Sequence, residues 1–170
     1  MSLDTDLTTL FEDNLEFLDA MDGPGADKAH LMSVLMENTY HIGRHITLDP
    51  DLTWDAATTD YLEDSEVFIV SHKIGLLFFE NTLWSLLTNV FEHEHDWASA
   101  CQQRSALAFL FSCYVDTDLP GLLDGVLDLE RLDQQLRVRG AKENHLKAED
   151  IPAGIPEDHW WWRIPRSSTT

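Results

Sequence analysis

Histidines and carboxylates at helical spacing are the residues of this chain best suited to chemistry. "ENTYHIGRH" places Glu37, His41 and His45 at steps of four, so Glu37 and His41 share one face of a helix. "FEHEHDW" supplies Glu92, His93, Glu94, His95 and Asp96. Glu92 and His95 stand three apart, the Glu-x-x-His spacing with which di-iron carboxylate bundles hold their metals. Glu80 precedes Glu92 by twelve residues, nearly in line with it on a helix. Imidazole and carboxylate together suit iron or zinc. Glu37, His41, Glu80, Glu92 and His95 therefore define one reading, a metal-dependent helical-bundle enzyme. Its weakness is the donor set. A di-iron bundle uses two Glu-x-x-His motifs and two further glutamates, and the chain has one such motif. Gly43 threatens to end the helix before His45 joins it, and "HEH" sits where a helix is ending and charges are commonly solvated. His41 alone reads better as a hydrogen-bonded core histidine than as a ligand.

Nucleophilic catalysis finds less support. Ser71 beside His72, or Cys101 or Cys113 with a distant histidine, are the available nucleophiles. No Gly-x-Ser-x-Gly elbow and no cysteine-enzyme signature surrounds them. On one helix the two cysteines would be about 18 Å apart, too far to pair, so they read as reduced core thiols. "DGPGAD" lacks the Lys and Ser/Thr of a phosphate-binding loop, and its acids would repel phosphate.

The chain closes with "DHWWWRIPR". In an extended strand Trp160 and Trp162 face opposite to Trp161; on an α-helix the three fan out by about 100° each. Neither geometry buries all three in one core. The structural expectation is a tail folded back over the protein, two indoles in a groove and one at the rim, with Arg163 and Arg166 pairing with acidic helix faces. The functional one is that the indoles and Arg163 anchor a partner, since Trp and Arg dominate interface energetics.

Charge narrows the partners. Eleven Lys plus Arg face 31 Asp plus Glu, a formal net charge of −20 over 170 residues. Nucleic acid and anionic membrane surfaces need cations that are scarce here. A basic protein or a metal cation suits the field better. Hydrophobic residues at 44% and aromatics at 10% exclude a disordered composition. The acidic start has no basic-then-apolar leader pattern, so the cytoplasm is the expected compartment.

The elements that must position these groups are helices. Leu7, Leu10, Phe11, Leu15, Leu18 and Met21 repeat at helical spacing. A second helix is expected from Asp27 to about Ile42, with Gly43 as its stop. "ITLDPDLTWDAATTD" reads as a long connection. The run over 65–95 is apolar almost all round, which predicts a buried central helix. It is long enough to span a membrane, but His72, Lys73, Glu80 and Asn81 interrupt it. "VFIV" alone would also suit a short strand. A fourth helix spans Trp97 to Tyr114. The fifth carries Leu122, Val126, Leu129, Leu132 and Leu136 and is capped at Gly140.

The expected fold is all-α: about five helices, mostly antiparallel, around the central helix. Residues 1–140 form the bundle domain, and 141–170 an extended, non-helical tail packed on it. The leading functional expectation is a non-enzymatic acidic protein that blocks a basic partner, as immunity proteins and antitoxins do, without a cofactor. Its contact residues are Asp49, Asp51, Trp54, Asp55, Asp60, Tyr61, Glu63, Asp64 and Glu66, with Trp160, Trp161, Trp162 and Arg163 from the tail and the acids of "EHEHD" (92–96) as a second acidic surface. A chaperone or adaptor would carry the same traits, and a homo-oligomer could equally shield the central helix.

Overall fold

The computed structural model describes residues 27–51, 56–91, 93, 96–114, 116–123 and 125–165. The expected first helix, and Trp54, Asp55, Glu92, Glu94, His95 and Arg166, lie outside the described residues. Within them the chain forms six α-helices and no strand: α1 (Lys28–Leu48), α2 (Ala56–Ser71), α3 (Lys73–Thr88), α4 (Asp96–Cys113), α5 (Leu119–Leu123) and α6 (Leu129–Glu143). The all-α expectation holds, and "VFIV" is helical. No helix among them is long and apolar enough to cross a membrane.

The tightest pairing is α1 against α4. Leu31, Met32, Leu35, Met36 and Tyr40 recur at the helical period and are buried on α1. They meet Ala100, Ala106, Leu107, Phe109 and Leu110 of α4 in one core. Gly43 does not stop α1; the helix runs through it to Leu48. A side chain there would collide with the Phe109 ring, and its Cβ would lie 2.7 Å from the Phe109 Cβ. The glycine is a notch that lets α4 approach. Intrinsic propensity alone favours Gly43→Ala by about 1 kcal/mol. Overpacking against a fixed Cβ opposes it, and such strain costs about 1–3 kcal/mol. We expect Gly43→Ala to be net destabilising in urea titration; a raised midpoint would show that the helices part without cost.

The expected central helix is divided: its described residues up to Thr88 belong to two helices, not one. α2 and α3 part at His72, whose backbone leaves helical geometry (φ −124°, ψ 40°). Its Nδ1 lies 3.1 Å from the Phe68 carbonyl oxygen and its ring stacks on Phe68 at 4.4 Å. α3 buries Leu76, Phe79, Leu83 and Leu87 but leaves Ile74 and Phe78 in solvent. The more enclosed helix is α4. The expected fifth helix is likewise divided, by a turn at Gly125 (φ +76°), a conformation that favours glycine. Gly140 is not a cap. It lies inside the last turn of α6, against Trp97 and Ile164, and Asn144 closes the helix.

Beyond Glu143 the chain is irregular except for two 3-10 turns, Ala148–Asp150 and Trp160–Arg163. It crosses back over the helices. The Arg44 Nε donates to the Ala153 carbonyl at 2.7 Å, and Asn144 Nδ2 to the Ile164 carbonyl at 2.6 Å. Ile155, Trp161 and Trp162 belong to the same apolar core as the helices.

Candidate functional site

The tryptophan run sits on a 3-10 turn against α4 and α6. With about three residues per turn, successive side chains point about 120° apart. Trp161 and Trp162 are buried, and Trp160 stays at the rim. Their seat is Ser105. Its Oγ accepts from the indole Nε1 of Trp161 at 3.0 Å and of Trp162 at 2.9 Å. Trp161 Nε1 also reaches the Cys101 carbonyl at 3.2 Å. One hydroxyl therefore satisfies two buried donors that would otherwise be costly.

Arg104 locks this seat. Its guanidinium lies over the Trp161 ring at 4.4 Å and grips Asp133 of α6, Nε to Oδ1 at 2.7 Å and Nη2 to Oδ2 at 3.3 Å. His159 stacks on Trp161 at 4.7 Å and tilts against Phe109 at 4.7 Å. Burial pushes the imidazole down to about 4; Asp158 opposes this, while Arg104 and Arg163 add to it. It is neutral at pH 7. Arg104 and His159 were not singled out by sequence spacing. Their one signal was chemical: a lone arginine in an apolar helix, and a histidine abutting three indoles. Among the described residues Arg163 forms no ion pair with an acidic helix face. It donates to the carbonyls of Pro156, Ile155 and His159, because the tight turn leaves those oxygens within its reach.

The metal-ligating residues are dispersed. Glu37 is exposed on α1 and His41 half-buried beside it. Burial pushes the imidazoles of both His41 and His45 down, with Arg44 adding to it. Glu80 faces the other way: its Oε1 accepts from the backbone N–H of Asp128 at 2.9 Å, at the start of α6. This supplies the partner that a buried carboxylate requires, and puts negative charge at a helix N-terminus. Among the described residues no three His, Cys, Asp or Glu side chains converge as a metal site; Glu92 and His95 are not among them. The thiols are poor nucleophiles. Burial raises Cys101 well above its ordinary value and Cys113 to about 12, so neither is a thiolate at neutral pH.

The acidic residues are better ordered. Asp49 and Asp51 are exposed just after α1. Asp60, Glu63 and Asp64 are not in a loop but on the outer face of α2, exposed, with Glu66 beside them half-exposed. The same stripe continues through exposed Val67. Tyr61 turns inward and is 1% exposed. Its hydroxyl takes a hydrogen bond from Asn38 Nδ2 at 3.2 Å, and burial pushes the phenol up to about 12. Helical spacing separates it from the acids on either side.

No family model, curated protein or solved structure matches the chain. The functional reading therefore rests on its own residues.

The arginines complete the electrostatic picture. Arg44 lies over Tyr40, Arg104 over Trp161, Arg131 over Trp84, Arg137 over Trp160 and Arg139 over Phe91, at 3.6–5.4 Å from the ring centroids. Aromatic faces hold cations well. Arg44 and Arg104 are buried in this packing, Arg131 and Arg137 keep exposed surface on α6, and the acids of α2 face water.

Proposed function

We propose that the protein is an acidic binding protein that captures and blocks a basic protein partner through the outer face of α2. The observation that carries this reading is the segregation of charge. Asp60, Glu63 and Asp64 form one exposed carboxylate stripe, while Arg44, Arg104, Arg131, Arg137 and Arg139 lie over aromatic rings and Arg163 donates to carbonyls. A field of one sign over a docking face raises encounter rates by about 10–1,000-fold and is weakened by salt. Glu66, Asp49 and Asp51 extend the charged surface. Val67 and, on α3, Ile74 and Phe78 supply exposed apolar side chains of the kind that anchor such encounters. Of Trp160, Trp161, Trp162 and Arg163, the first and last keep surface for a partner; Trp161, Trp162 and Tyr61 are buried.

The test is capture from a lysate of the source cells at low salt, with two charge-matched variants. Asp60→Asn/Glu63→Gln/Asp64→Asn should lower retention of a basic protein about tenfold. Asp116→Asn/Asp118→Asn/Glu130→Gln removes the same formal charge elsewhere and should leave retention near wild type. Equal loss in both would mean that net charge alone acts, and would remove the assignment to α2. Retention indifferent to added salt would remove electrostatic steering.

A further inference from the structure

We infer that the outer face of α1 is a binding site for a divalent transition-metal ion of the zinc and copper(II) class, chelated by His41 and His45. Gly43 stands between the two and does not break the helix. α1 runs through it to Leu48, and the Asp49 N–H still donates to the His45 carbonyl at 2.9 Å. The histidines are therefore about one turn apart on a continuous helix and share a face. Their Cβ atoms stand about 5–6 Å apart. Two imidazoles at that spacing close on one ion at about 2.0–2.1 Å from each nitrogen. Zinc proteases hold their metal with a pair of histidines at the same helical spacing.

Both groups are reachable and uncommitted. Each ring is half-exposed. Neither makes a hydrogen bond or an ion pair with another described residue, and His41 meets the Tyr40 ring edge-on at 5.3 Å. Burial and Arg44 hold both imidazoles neutral at pH 7, the form that ligates.

Charge favours a cation here. The chain carries −20, and His45 lies in the last turn of α1, where the helix dipole is negative. Arg44 is the opposing charge. Its Nε donates to the Ala153 carbonyl and its guanidinium lies over Tyr40, which draws it toward the tail. Glu37, exposed one turn before His41, is about 12 Å along the axis from His45 and cannot share its ion.

The donors select the metal. Neutral nitrogen suits zinc, copper(II) and nickel, whereas magnesium and calcium prefer oxygen. Two protein ligands leave positions for water or an outside group, so the site is open and not a closed structural one. It differs from a protease centre. There a glutamate follows the first histidine as general base; here that position is Ile42, fully buried.

The experiment is calorimetric titration of the untagged full chain, stripped of metal, with zinc chloride and, as contrast, magnesium chloride. The wild type should bind one zinc ion more per chain than His41→Gln/His45→Gln, in the micromolar range, and magnesium should not compete. Each single substitution should weaken that site at least about tenfold. His45→Gln/Thr47→His restores the number of imidazoles but places the second on another face, and should not restore binding. Zinc should raise the melting temperature of the wild type and not of the double variant, with the helical circular-dichroism signal the same in both. Equal zinc stoichiometry and affinity in wild type and double variant would place the ion elsewhere and overturn the inference. So would a wild type left unsaturated at millimolar zinc, or full binding by His45→Gln/Thr47→His.

Discussion

Trp161→Ala should cost about 3–5 kcal/mol of folding stability, the range for truncating a buried aromatic side chain, and should release the tail. The indole is 3% exposed and carries several interactions at once. It donates to Ser105 and to the Cys101 carbonyl, it supports the Arg104 guanidinium, and His159 stacks on it. Removing it empties space and leaves Arg104 with Asp133 alone. The tail has few other anchors, chiefly Trp162 on Ser105 and the bonds from Arg44 and Asn144. Urea unfolding measures the first effect. Proteolysis across residues 145–160 measures the second, because an undocked irregular segment is cut far faster than a packed one. A loss below about 1 kcal/mol, the size of an ordinary surface substitution, with unchanged proteolysis, would show that the tail is not held by this side chain.

Acidification should destabilise the protein through His159. Its imidazole titrates near 6.5 in an unfolded chain and at about 4 in the folded one. Between those values the unfolded state binds more protons, so stability falls as pH falls. The contribution of the neutral ring is fully present above pH 6.5 and is lost by about pH 4. The depth of the effect is about 3 kcal/mol at a little over 1.3 kcal/mol per unit. The groups around the ring are Asp158 and Arg163 from the tail and Arg104 from α4, and none of them rescues the proton. Carboxylates also titrate toward the acid end, and relief of repulsion among them acts in the opposite direction. The informative quantity is therefore the difference between wild type and His159→Phe, in which the carboxylates are common to both. The wild type should lose about 3 kcal/mol more than the variant between pH 7 and 4. Parallel stability curves would mean that the folded state accommodates the imidazolium.

Tail release would disturb the cleft lined by Trp160, Trp161 and His159 but not the α2 stripe, which lies on another helix. A Trp161→Ala protein with a released tail should therefore still capture its basic partner.

Local patterns in the chain were enough to determine the helical class and the bounds of α4 to within a residue. Both follow from short-range rules: the 3.6-residue period and the cysteines at apolar positions. Which two indoles are buried was decided by the 3-10 turn. The glycines misled for a physical reason. A glycine that ends a helix and one that admits a neighbouring helix look the same in sequence, and only the approach of Phe109 to Gly43 and of Trp97 to Gly140 distinguishes them. Connections misled similarly, since "AATTDYLEDSE" is rich in cap-type residues and yet forms α2, with Tyr61 buried.

The fate of single polar groups lay wholly beyond the sequence. Glu80 needed a partner, and the chain offered histidines at tempting spacing; the fold gave it the backbone N–H of Asp128, 48 residues away. Arg104 and His159 acquired their roles in the same way, from Asp133 and Trp161 on other elements. Composition and period determine which residues are removed from water. Tertiary structure decides which polar groups meet once they are there, because hydrogen bonds and ring contacts act over a few ångströms between segments whose separation in sequence carries no information about their distance in space.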